Sequence, residues 1–84
     1  MNKEYKITPN PAVAFSMKYT EGSDVLFFTI EVGEDDSCVY INRNPSNGAS
    51  MINMKDPKEN ARVSRATERM LEYFQAQGKR AELE

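Results

Sequence analysis

One amphipathic helix is all that this chain offers to cover its strands, and that shortage constrains the fold more than any other feature. Asp56 suits an N-cap, Pro57 the first helical position, and Glu59 the carboxylate of a capping box. Both acids sit at the positive end of the helix dipole. Gly78, followed by Lys79 and Arg80, supplies the stop signal. A helix over Pro57–Gln77 is roughly 31 Å long. At ~100° per residue, Val63, Ala66, Thr67, Met70 and Phe74 share a face, with Leu71 and Tyr73 on its flanks. That stripe can shield one side of a sheet and no more.

The first two-thirds of the chain, up to Lys55-Asp56-Pro57, reads as strands. Asn2 to Ile7 is a candidate short leading strand with Tyr5 and Ile7 on one side, interrupted by Thr8-Pro9-Asn10-Pro11. Ala12 to Tyr19 alternates, with Val13, Phe15, Met17 and Tyr19 facing one way and Ala12, Ala14, Ser16 and Lys18 the other. Thr20-Glu21-Gly22-Ser23 makes a hairpin turn. Asp24 to Val32 is the strongest strand, and its Val25–Ile30 run is apolar on both faces. Gly33-Glu34-Asp35-Asp36 turns the chain into a third strand, Ser37 to Arg43. Asn44-Pro45-Ser46-Asn47-Gly48 is a loop of turn formers, and Ser50 to Met54 a fourth strand. Connections this short join antiparallel neighbours.

The expected fold class is therefore α+β. It has two layers: an antiparallel four-stranded meander, optionally with the leading strand added, packed on one long C-terminal helix. The helix stripe is predicted to meet Val13, Phe15, Met17, Leu26, Phe28, Ile30, Val39, Ile41, Ile52 and Met54. Residues 1–82 are read as one domain, as expected for 84 residues. Leu83-Glu84 is read as the remnant of an expression tag and set aside from the fold. The element order resembles that of the single-strand-binding transcriptional coactivators, in topology alone.

Composition excludes several chemistries. The absence of His removes imidazole-based nucleophilic catalysis and imidazole metal sites. Cys38 is the only cysteine, so no disulfide forms within the chain and no multi-thiolate zinc site exists. A lone thiol and a polar N-terminus without an apolar export segment predict a reducing, cytoplasmic setting. No run approaches the ~20 apolar residues of a membrane span. The net charge of −2 excludes bulk-charge attraction to nucleic acid. The serines lie in no nucleophile-elbow context, and Asn47-Gly48 is a turn rather than a phosphate cradle. The chain is read as non-enzymatic, with no cofactor implied.

Three features remain as sites. The first is the sheet face that the helix leaves open. It carries Ala12, Ala14, Ser16, Val25, Phe27, Thr29, Cys38 and Tyr40, bordered by Lys18, Glu31 and Asn42. Ala14, Ser16, Val25, Phe27, Thr29 and Tyr40 are the predicted interface residues, because contiguous apolar surface marks a contact site and a two-fold copy is its simplest cover. A competing reading lets the leading segment or a strong sheet twist hide Phe27 and Tyr40 internally. The second feature is a helix stripe of Lys58, Arg62, Arg65 and Arg69, with Tyr73 at its edge. Like charges at i, i+4 do not help a helix, so the row is a solvated face paired with Glu68 and Glu72, a track for a phosphate backbone, or a site for an acidic protein partner. Combined with Phe27 and Tyr40 as a stacking platform, it gives the alternative partner, single-stranded nucleic acid. The third is the acidic turn Glu34-Asp35-Asp36, which matches no EF-hand spacing and reads as a solvated turn. Cys38, predicted in mid-strand with no His to act as base, is read as a small hydrophobe.

Overall fold

A computed structural model describes residues 4–47 and 52–84. The order of elements is β1 (Tyr5–Pro9), β2 (Ser16–Glu21), β3 (Asp24–Val32), β4 (Cys38–Ile41), α1 (Pro57–Gln75) and β5 (Arg80–Leu83). The five strands form one sheet in the spatial order β1-β2-β3-β4-β5. The first three junctions are antiparallel; β4 and β5 run parallel, with α1 as the crossover between them. The molecule is thus α+β as expected, but the sheet is mixed and five-stranded rather than a four-stranded antiparallel meander. The likeness in element order to the single-strand-binding coactivators ends at β5, a strand that follows the helix.

The β2–β3 hairpin forms where turn chemistry asks for it. Glu21 pairs with Asp24, and Gly22 takes φ 60° between them. Register places Met17 opposite Phe28 and Tyr19 opposite Leu26 on the side that faces α1. Those four join Val39, Ile41, Val63, Ala66, Met70 and Phe74 in one buried cluster, with Ile7, Ile30, Ile52, Met54 and Leu71 packed around it. The helix stripe is the one its periodicity predicts: Val63, Ala66, Thr67, Met70 and Phe74 are its buried residues. The Asp56 carboxylate accepts from the Lys58 N–H at 2.9 Å and caps the helix. Glu59 does not complete a reciprocal capping box, since it binds Arg62 instead and the Asp56 N–H goes to the Asn53 carbonyl.

Three strand expectations need correction. The alternation of Ala12–Tyr19 is strand only from Ser16 onward. Asn10 Oδ1 accepts from the Ala12 N–H at 3.0 Å, and the Asn10 N–H reaches the Ser16 carbonyl at 2.9 Å, which folds residues 10–15 into a turn. Phe15 closes the turn at φ 57°, and Val13 and Phe15 end up 55% and 66% exposed instead of in the core. The predicted strand over Ser50–Met54 is absent in its described part. Asn53 Oδ1 captures the Lys55 N–H at 3.1 Å and bends the chain into the helix, while Ser50 and Met51 lie outside the described residues. Finally, Ser37–Arg43 is regular strand only over Cys38–Ile41. Beyond it the chain still tracks β3, with Phe27 and Ser46 exchanging N–H···O bonds at 2.8 and 3.1 Å over the fully buried Pro45.

The fifth strand comes from residues read as a helix stop and a tail. Gly78 takes φ 81°, the Lys79 N–H closes on the Phe74 carbonyl at 3.2 Å, and the chain reverses. Arg80 then pairs with Cys38 and Leu83 with Ile41, so Leu83 belongs to the sheet. The leading strand spans Tyr5–Pro9 at the sheet edge, where a proline is tolerated and Pro9 stands opposite Met17; of its expected span, Asn2 and Lys3 lie outside the described residues. No described helix is long and apolar enough to cross a membrane.

Candidate interaction surface

Antiparallel register fixes what each sheet face shows. The face turned away from α1 presents Lys6 and Thr8 from β1, Ser16, Lys18 and Thr20 from β2, and Val25, Phe27, Thr29 and Glu31 from β3. β4 adds Cys38 and Tyr40, and β5 adds Arg80 and Glu82. Among the described residues no helix or strand lies over this face. β1 lies in the plane of the sheet as its outer strand, so it does not act as the internal cover considered for Phe27 and Tyr40. Of the six predicted interface residues, Ser16, Val25, Phe27, Thr29 and Tyr40 are brought together here. Ala14 is not, because it sits in the 10–15 turn.

The open face is a shallow apolar centre between two charged corners. Val25, Phe27, Cys38 and Tyr40 are each half-buried. A depression of about 330 Å³ is lined by Asn10, Val13, Ser16, Phe27, Thr29 and Ser46. A second, of about 430 Å³, surrounds Cys38, Tyr40, Arg80 and Glu82. The Cys38 thiol points to Glu82 Oε2 at 4.0 Å. The neighbouring Cys38 sulfur is the main reason that the Tyr40 phenol is pushed above its ordinary value. Asp35 accepts from both the Ser37 hydroxyl and its N–H, which holds its carboxyl low and closes the acidic turn on itself. No group of His, Cys, Asp or Glu side chains suited to a metal ion occurs among the described residues.

The helix arginines are arranged differently from a free cation track. Arg65 binds Glu21 Oε1 at 2.9 Å, and Arg69 binds Glu21 Oε2 and the Tyr19 hydroxyl, each at 2.5 Å. The Arg69 guanidinium also lies 4.3 Å over the Tyr5 ring, which itself stacks on Tyr19 at 5.8 Å. Glu21 is 5% exposed, and its carboxyl is held below the ordinary carboxylate range. The Arg69 hydrogen bond dominates that shift, burial opposes it, and Arg65 reinforces it. Arg69 in turn is held more firmly protonated than a free guanidinium, chiefly by Glu21. The pairing expected with Glu68 and Glu72 is therefore replaced by one with β2. Arg62 binds Glu59 at 2.9 Å, Lys58 is exposed, and Tyr73 packs edge-on against Phe74.

Glu21 was missed by sequence reasoning, although parity carried the signal. Met17, Tyr19 and Glu21 occupy one side of β2, so an acid in the third place must find a cation under the helix. Lys6 was equally legible, opposite in phase to Tyr5 and Ile7. Glu82 was not, since its strand was not foreseen. No family model, curated protein or solved structure matches the chain.

Proposed function

We propose that this protein is a small non-enzymatic interaction module that works as a homodimer joined through the open face of its sheet. One observation carries the reading. A single helix covers one side of the sheet, and the other side leaves Val25, Phe27 and Tyr40 half-buried with no described element over them. A second copy presenting the same face completes the burial that an 84-residue chain cannot achieve alone. The shallow depressions on this face suit the side chains of another protein surface better than an enclosed small molecule.

Single-stranded nucleic acid ranks below this reading. Arg65 and Arg69, half of the cation row it needs, already have their charge paired with Glu21. Sedimentation velocity across a concentration series tests the leading proposal. The wild-type chain is expected to sediment at twice its monomer mass, and Phe27→Asp as a folded monomer. A wild-type chain that stays monomeric at millimolar concentration overturns it.

A further inference from the structure

The open face has a charge pattern as well as an apolar centre. On the β1–β2 side, Lys6 and Lys18 stand on neighbouring strands in successive rows of the ladder. On the β3–β5 side, Glu31, Tyr40 and Glu82 form one continuous row. The two groups occupy diagonally opposite corners, with Phe27 and Thr29 between them. Lys6, Lys18 and Glu31 take part in no ion pair among the described residues, and Glu82 has only Arg80, at 3.6 Å on an exposed edge. The acidic corner is crowded: the neighbouring Glu31 carboxyl holds the Glu84 carboxyl above its ordinary value. On the helix side, by contrast, the buried acid Glu21 has two cations of its own.

We propose that the face joins a second copy of this chain across a two-fold axis lying in the plane of the face, so that Lys6 and Lys18 of each copy sit over Glu31 and Glu82 of the other. This rests on the homodimer reading and adds its geometry. An axis along the diagonal that avoids the charged corners exchanges those corners. An axis along the strands leaves both lysines away from the acidic row, and one directly across them brings Lys18 no further than the β3 end of it, away from Glu82. The diagonal axis crosses the strands of the two sheets near a right angle, one of the two established ways for sheets to pack face to face. It also lays the Lys18 stem over the Tyr40 ring, where an ammonium is favoured. The size is adequate. Five strands ~4.8 Å apart, the longest of nine residues, span roughly 20 Å by 30 Å. That approaches the ~800 Å² per partner of a standard interface.

Charge reversal with cross-rescue tests the arrangement on the full chain. Lys6→Glu/Lys18→Glu and Glu31→Lys/Glu82→Lys are each expected to weaken self-association about tenfold or more at low salt, as misplaced like charges across an interface do. Their equimolar mixture is expected to recover a heterodimer close to wild-type affinity, read by sedimentation or by energy transfer between labelled copies. Circular dichroism checks that both variants fold. If one does not, the wild type alone decides: its dimer must weaken with added salt. Failure separates the two proposals. A wild-type monomer overturns the homodimer itself. A wild-type dimer lost in Phe27→Asp, but indifferent to both reversals and to salt, keeps the face and overturns the diagonal pairing.

Discussion

The two faces of the sheet solve the same problem in opposite ways. On the helix side, every charged group that the fold buries has been given a counter-charge from the same chain: Glu21 lies under α1, and Arg65 and Arg69 reach down to it. On the open side, Lys6 and Lys18 stand across the sheet from Glu31 and Glu82, too far to meet them, and Glu82 has only the exposed Arg80 at 3.6 Å. The helix-side network stabilises a monomer. The open-side pattern is the one that the proposed homodimer would satisfy. The basic row on α1 looks in sequence like a recognition surface, yet Arg65 and Arg69 brace Glu21 of β2; the surface proposed above for recognition lies on strands whose charges are sparse.

The difference is largest in the side chains of two adjacent residues. Phe28 is fully buried beneath the helix, and Phe27 faces the other way. Phe28→Ala is expected to cost about 3–5 kcal/mol in urea unfolding. Phe27→Ala, measured on protein dilute enough to be monomeric, is expected to cost about 1 kcal/mol, because its backbone bonds to Ser46 remain. Equal losses would mean that the open face is part of the monomer's own core, and the comparison would break.

Glu21 sharpens the same contrast through pH. Its folded carboxyl is held below the ordinary carboxylate range by Arg69 and Arg65. A depressed folded value means stability that is complete above the unfolded value and is lost as pH falls through the ordinary range toward the folded one. Glu21→Gln is therefore expected to lose about 1–3 kcal/mol near neutral pH, and its gap to wild type should close on acidification. A gap that persists unchanged in acid would show that packing, not charge, makes Glu21 matter.

The helix was legible almost to its ends because its signals are local: a capping aspartate, a proline in the first turn and an apolar period of 3.6. The inward set of β2 and β3 was legible because alternation and a glycine turn together fix register. What failed was non-local. Val13 and Phe15 continue the alternation of Met17 and Tyr19, and only the capture of Ala12 by the Asn10 side chain breaks it. Arg80-Ala81-Glu82-Leu83 carries too little apolar character to be read as a strand, and β4 supplies the reason it becomes one. Of the six residues expected on the open face, Ser16, Val25, Phe27, Thr29 and Tyr40 lie there and were readable from parity. The internal use of Arg65 and Arg69 was not, since it depends on which strand passes beneath them.

Phe15 stands where the two faces meet, and it offers the smallest test. It holds φ 57°, a left-handed conformation that costs a residue with a Cβ ~1–2 kcal/mol. It is also 66% exposed, beside a groove along Ile30, Glu31 and Val32. Phe15→Gly removes the conformational strain but adds ~0.4–1 kcal/mol of unfolded-chain entropy. If the ring contributes little packing, the denaturation midpoint should rise by the equivalent of about 0.5 kcal/mol. A fall instead would mean that the ring is held on Ile30 and Val32 firmly enough to outweigh its strained backbone, which would extend the covered side of the sheet around its edge and narrow the surface left for a partner.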